Sequence, residues 1–140
     1  MSWTINLFMK KKRALQYLDI TGTMIVALDL NGDILLVNKE ICKALEHISE
    51  EVCIGMNWFE MYLPESIRQE VHNVFIEIIS GNIKPYQRYE NELLFKDGSI
   101  RLVEWNNEYI RDNSGKITGV LSSGRDITKS RLDEDKLKKK

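Results

Sequence analysis

Between residues 86 and 123 the chain runs through three apolar-rich stretches cut by two short turn-forming tracts. Tyr86 to Phe95 passes through Lys96-Asp97-Gly98 into Ile100 to Ile110, and Asp112-Asn113-Ser114-Gly115 leads on into Ile117 to Ser123. Tight turns between long strands predict an antiparallel meander. A three-stranded meander needs further strands to cover its edges. The chain supplies them earlier: Met24 to Leu28 and Ile34 to Val37 flank Asp29-Leu30-Asn31-Gly32-Asp33. An Asn-Gly pair between apolar runs is a strong hairpin signal, because both residues tolerate positive φ. Two strands, a helical middle and three more strands predict a five-stranded antiparallel sheet with helices packed over one face, an α+β fold.

The middle segment carries helix signals. Asn38 is placed to cap a short helix running through His47, and Ser49-Glu50-Glu51 opens another turn that Gly55 ends. After Pro64 a longer helix is expected from Glu65 to Ser80, stopped by Gly81, with Ile67, Val71, Val74, Phe75 and Ile78 facing inward. Ahead of the first strand, Ile5, Phe8, Met9, Leu15 and Leu18 recur at helical intervals. That spacing predicts an amphipathic helix over residues 5 to 19, with Lys12 inside its stripe.

Length and charge narrow the function classes. The 140 residues, 43% hydrophobic and 29% charged, fit one globular domain with a real core. A formal net charge of −1 gives no general attraction for phosphate backbones, so no nucleic acid partner is expected. The basic run Lys10-Lys11-Lys12-Arg13 reads as a solvated helix face. Nothing approaches the roughly 20 apolar residues that span a bilayer, and Trp3 to Met9 precedes its basic residues, unlike a secretory signal. Direct membrane insertion is therefore not expected. Cys42 and Cys53 lack metal-like spacing and read as reduced cytosolic thiols, which places the chain in the cytoplasm.

At the other end, Gly124-Arg125-Asp126-Ile127-Thr128 closes the last alternating stretch and opens a charged helix through Lys140. Thr128 is placed to cap that helix by accepting from a backbone N–H one turn on, with Asp133 and Glu134 in the early helix. Asp126-Ile127-Thr128 with Arg131, Glu134 and Leu137 resembles the junction at which PAS (Per-Arnt-Sim) sensory domains pass into a signalling helix. Further matching pieces, in order, are Leu28 to Asn38, Ile54-Gly55-Met56-Asn57-Trp58-Phe59, Lys96-Asp97-Gly98, and Gly115 to Gly119. The likeness covers about residues 12 to 137. It implies the PAS fold over a sensory domain (20–128), flanked by the N-terminal amphipathic helix (1–19) and by the start of a signalling helix (129–140) leading to an absent effector. It also implies a sensory or scaffolding role of the kind found in histidine kinases, cyclic-di-GMP enzymes and transcription regulators, without catalysis in the domain itself.

The family's two best-known cofactors meet obstacles here. Blue-light members carry a flavin-reactive cysteine in Gly-x-Asn-Cys, and this chain reads Gly55-Met56-Asn57-Trp58, with Cys53 outside that position. A covalent flavin adduct is disfavoured. Asn57 and Trp58 retain the chemistry to contact a flat ligand, since indole offers a stacking face and one donor, but Trp58 and Phe59 read first as an anchor of the helical layer on the sheet. Haem-sensing members place the iron ligand on the long helix, at a position that falls about on Val71. His72 is rotated about 100° from it, off the inward stripe, so haem is disfavoured as well. His47, at a helix end, suits terminal carbonyls better than a metal. Glu60, Glu65 and Glu70 lack a nearby His or Cys, and Ser122-Ser123-Gly124 lacks a nucleophile elbow. No phosphate-loop, dinucleotide or zinc signature is present, and no catalytic or metal residue is assigned.

Strand alternation puts Val103, Trp105, Asn107 and Tyr109 on one face of the longest strand, with Asn107 as a buried polar contact. The expected ligand site is thus Asn57, Trp58, Val71, Phe75, Trp105 and Asn107, between the sheet and the long helix, with Asp126 and Thr128 as the transmitting junction. The expected function is a signal-sensing module that binds a small ligand or cofactor of unknown identity. It would dimerise with itself and regulate a fused C-terminal effector such as a histidine kinase or diguanylate cyclase, as in two-component systems. The alternative is a ligand-free interaction scaffold whose pocket is filled by its own side chains.

Overall fold

A computed structural model of the chain describes residues 13, 16, 22–45 and 50–138. Arg13 and Gln16 are helical and exposed; the rest of the expected N-terminal helix, its apolar stripe, Lys10 to Lys12, His47 and Ser49 lie outside the described residues. The elements run β1 (Met24–Asp29), β2 (Ile34–Val37), α1 (Lys39–Leu45), α2 (Glu50–Cys53), α3 (Trp58–Met61), α4 (Arg68–Ile79), β3 (Arg88–Leu94), β4 (Ile100–Arg111), β5 (Ile117–Asp126) and α5 (Thr128–Lys138). The five strands form one antiparallel sheet in the order β2-β1-β5-β4-β3. The meander β3-β4-β5 is therefore extended by β1 pairing with β5, and the first hairpin completes the sheet.

Two of the turns share one construction. Asp29 Oδ1 accepts from the N–H groups of Asn31 (2.8 Å) and Asp33 (3.0 Å), while Asp29 N–H donates to Asp33 O. Asp112 Oδ1 does the same with Ser114 (2.9 Å) and Lys116 (3.0 Å), and Asp112 N–H donates to Lys116 O. An aspartate at the strand end thus satisfies the donors that a tight turn leaves without a ladder partner. Gly32 supplies the positive φ of 83° in the first turn, and a Cβ there would lie 2.5 Å from the Phe59 ring. Glycine is needed for both backbone and packing.

Helix boundaries follow local chemistry. Asn38, 1% exposed, accepts on Oδ1 from Ile25 N–H (3.0 Å) and Ile41 N–H (3.3 Å) and donates to Thr23 O (2.7 Å), so it caps α1 and ties it to β1 at once. The long helix differs from expectation at its start. Residues Glu65–Ile67 form a 3-10 turn, closed by Ile67 N–H on Pro64 O, before the α-helix proper begins. At its end Ser80 Oγ donates to Ile76 O (2.7 Å), and Gly81 takes φ 109°. Val71, Phe75 and Ile78 are buried, with Ile67 and Val74 packed against the core. β3 starts later than expected, because Pro85 lacks an N–H and Lys84–Tyr86 turns instead. β5 runs on to Asp126, which pairs with Val103. The apolar face of the sheet, including Val26, Leu28, Val103, Trp105 and Val120, and the helices that cover it enclose one core.

Candidate functional site

Strand parity places the inner face as the alternation predicted: Val103, Trp105 and Asn107 are buried while Asn106 and Glu108 are exposed. Above this face α3 contributes Trp58 and Phe59, and α4 contributes Val71, Val74, Phe75 and Ile78. Together with β-strand residues they enclose a cavity of about 60 Å³. Trp58 meets Trp105 edge-on at 5.8 Å, and Phe59 meets Phe75 at 5.0 Å. The volume is well below the roughly 300–1,000 Å³ of a drug-sized site, so these aromatic rings occupy most of the space between sheet and helix. Gly124 makes room for this arrangement. A Cβ there would sit 2.5 Å from Trp105 Cζ3.

The cavity wall is not wholly apolar. Asn107, 8% exposed, pairs in register with Ser122, whose Oγ donates to Asn107 Oδ1 at 2.6 Å. The Asn107 amide donates in turn to Tyr86 O (2.8 Å), and its backbone N–H to Gln87 O. Asn107 thereby fastens the 3-10 segment before β3 to the middle of β4. Asn91 on β3 is a further buried lining residue, at 6% exposure, and donates through Nδ2 to Glu92 O at 2.8 Å. Tyr89 also lines the cavity, and its phenol is pushed above its ordinary range by burial first, then by the Glu70 and Glu92 carboxylates and Tyr86.

Of the six residues expected at a ligand site, Trp58, Val71, Phe75, Trp105 and Asn107 line this cavity and Asn57 does not. Asn57 is instead the N-cap of α3: its Oδ1 accepts from Phe59 and Glu60 N–H, and its Nδ2 donates to Asn31 O and Asp33 Oδ1. Its amide is consumed in joining α3 to the β1-β2 turn. Asn91 and Ser122 were missed by the sequence reading. Parity against Val103 and Asn107 would have found both.

His72 is half-buried rather than fully on the surface, packing edge-on at 5.0 Å against Phe59 outside the cavity lining. Cys42 and Cys53 are buried. The Cys53 thiol is pushed up by burial, partly offset by hydrogen bonds with Cys42 and Tyr62. Tyr62 is pushed up to about 12, by burial first and then by Cys53 and Cys42. Among the described residues no group of three or more His, Cys, Asp or Glu side chains is arranged to hold a metal ion.

At the exit from the sheet, the bonding differs from the expected cap. Thr128 Oγ1 accepts from Leu102 N–H (2.8 Å), a β4 amide, instead of a helix amide. The capping oxygen is Asp126 Oδ1, which accepts from Thr128 N–H (3.0 Å) and from Thr128 Oγ1 (2.6 Å). Thr128 is the first helical residue, too far into the turn for its hydroxyl to cap, and α5 has no acidic residue in its first turn. Asp126 Oδ2 also pairs with Arg101 Nη2 at 2.9 Å, and Arg131 of α5 reaches Glu90 of β3 at 2.8 Å. The helix is thus held to β4 and β3 by side chains.

A family model described as the PAS fold matches residues 11–127. A search of curated proteins finds no match. Among solved structures, the chain is similar to the PAS domain of a Colwellia psychrerythraea protein, at 26% identity and TM-score 0.67 over 88% of this chain and 98% of that one. It is similar also to the PAS domain of the Cronobacter turicensis quorum-sensing receptor RpfR in complex with C12:0, at 22% identity and TM-score 0.63, covering 76% and 95%. A third is Vibrio cholerae VqmA in a ligand–DNA complex, at 21% identity and TM-score 0.65, covering 81% of this chain and 51% of that one. These likenesses concern the fold. No helix among the described residues is long and apolar enough to cross a membrane.

Proposed function

The chain belongs to the PAS family, and from that premise we propose that it is a sensory module. In this reading a small molecule or cofactor enters between the inner sheet face and α4, and its occupancy alters the pose of α5. The module works as a cytoplasmic homodimer and regulates a C-terminal effector such as a histidine kinase or a diguanylate cyclase. Residues 20–128 are assigned to the sensing body and residues 129–140 to the start of the transmitting segment; the amphipathic helix expected over residues 1–19 lies outside the described residues except at Arg13 and Gln16.

The observation that carries this reading is the set of buried polar residues in the wall of an apolar cavity, the Asn107–Ser122 pair and, further along the sheet, Asn91. A core built only for stability gains little from burying Asn107, Ser122 and Asn91 together, since each polar group must recover the hydrogen bonds that it had in water. A ligand site needs a few such groups to orient its guest. β5 supplies a route for output: it carries Ser122 in the cavity wall and Asp126 at the start of α5. RpfR with C12:0 and the VqmA ligand complex are relatives by fold in which a small molecule is bound.

The second reading, a ligand-free interaction scaffold, is favoured by the small cavity volume and by the Trp58–Trp105 and Phe59–Phe75 contacts that fill it. The absorption spectrum and native mass of protein purified from cells separate the two. Visible bands or added mass support sensing. Protein that is colourless, carries no added mass and binds nothing from a metabolite extract supports the scaffold.

A further inference from the structure

Asn91 is a buried amide with one end anchored and the other open. Its Nδ2 lies 2.8 Å from Glu92 O, and a backbone carbonyl can only accept, so the nitrogen must face it. Oδ1 is fixed on the other branch. Among the described residues no hydrogen bond is formed to Oδ1, and this oxygen is not fully buried but keeps some accessible surface, although Asn91 as a whole is only 6% exposed and lines the cavity. The same accounting fixes Ser122. Asn107 turns its amide nitrogen to Tyr86 O, so its Oδ1 must take the Ser122 proton, and Ser122 Oγ keeps only lone pairs for the cavity.

None of the residues lining the cavity carries a charge. An ionised carboxylate or ammonium placed there would lose its hydration with no counter-ion, which is the costliest way to fill a pocket. A ligand with acceptors alone would leave Asn91 Oδ1 unsatisfied.

We infer that the cavity selects a compact, uncharged ligand that donates a hydrogen bond, by hydroxyl or N–H, to Asn91 Oδ1; this rests on the reading of the cavity as a ligand site. Its competitor is water, since about 60 Å³ is room for ordered water that could satisfy the same oxygen. Phenol, fluorobenzene and benzoate test the inference, because they share a ring and differ in donor and charge; a ring exceeds the space of about 60 Å³, so each enters only as the Trp58–Trp105 and Phe59–Phe75 contacts give way, a cost common to all three that cancels in their comparison. Binding to the full chain is read by calorimetry and by the indole NMR signals of Trp58 and Trp105. Phenol is expected to bind about tenfold more tightly than fluorobenzene, the scale of one buried hydrogen bond, and benzoate not at all. In Asn91→Leu the phenol affinity falls to that of fluorobenzene, whose own affinity holds and so reports an intact cavity. Asn91→Val serves if the leucine variant does not fold.

Equal binding of phenol and fluorobenzene, or a phenol preference that survives in the variant, overturns the inference. Preferred binding of benzoate overturns it too while leaving the cavity a ligand site. If none of the three binds, water fills the place opposite Asn91 and the inference fails. The native mass of protein from cells then decides separately whether the sensory reading fails with it.

Discussion

Asp126→Ala removes the acceptor of two hydrogen bonds, from Thr128 N–H at 3.0 Å and Thr128 Oγ1 at 2.6 Å, and one partner of the Arg101 pair at 2.9 Å. Hydrogen bonds to a charged group contribute about 1.5–3 kcal/mol each, but these two share one oxygen and so fall short of twice that. The ion pair adds little, about 0.2–1 kcal/mol, because Arg101 is 37% exposed and screened by solvent. The expected loss is about 2–4 kcal/mol. A domain with about 5–15 kcal/mol of stability stays folded after such a loss. Thr128→Val removes the acceptor for Leu102 N–H and the donor to Asp126, at about 1–3 kcal/mol. Because one hydroxyl serves both contacts, the double variant should cost less than the sum of the singles by about 0.5–1.5 kcal/mol. Urea unfolding followed by fluorescence of the buried Trp58 and Trp105 measures these values, and hydrogen exchange of the α5 amides reads the pose of the helix. Both variants should exchange faster in α5 than in β4. Strict additivity, or α5 exchange that rises no more than that of the sheet, would refute the view that this junction holds the helix, and transmission through it would fall.

Three further outcomes are expected. Gly124→Ala should push the Trp105 ring into the cavity, lowering stability by about 1–3 kcal/mol and weakening any ligand binding; thermal unfolding and tryptophan fluorescence check this. Asn38→Ala should cost about 2–4 kcal/mol in urea unfolding, since it removes a helix cap and leaves Ile25 N–H buried without its acceptor. Tyr62, raised to about 12 when folded, contributes stability that is fully present below the ordinary tyrosine pKa of about 10 and is lost as pH rises toward 12. Alkaline unfolding of the Tyr62→Phe variant should lose that part of its pH dependence.

The architecture was legible because its signals are local. The Asn31-Gly32 and Asp112 to Gly115 turns, the alternation from Val103 to Tyr109 and the apolar stripe of α4 each specify backbone and face within a few residues. The misreadings concern side chains with more than one available partner. Asn57 stands two residues after Gly55 in a motif associated with ligand contact, yet its amide nitrogen is taken by Asn31 and Asp33 from across the fold and its oxygen by two α3 N–H groups. Thr128 opens a charged helical stretch, where a cap would be expected, but its hydroxyl accepts from the Leu102 amide of β4. Asn91 sits in Arg88-Tyr89-Glu90-Asn91-Glu92, which reads as a solvated edge strand. Only its register opposite Val103 shows that it faces inward. Such partners are separated by tens of residues in the sequence, where no periodicity can bring them together.

Because β1 and β5 are antiparallel neighbours at the centre of the sheet, Met24 lies opposite Gly124. The chain enters and leaves the sheet at the same end of one ladder. A pull that separates residues 24 and 124 loads the β1-β5 hydrogen bonds one after another, as a zipper opens, never all at once. Each bond contributes only about 1 kcal/mol net, so little force is needed to start the opening. As a mechanical object the domain is soft along the axis joining its ends, whatever its resistance to heat or urea. Tension applied through flanking segments would therefore open the β1-β5 seam first, and with it the wall formed by Val26, Leu28, Val120 and Ser122.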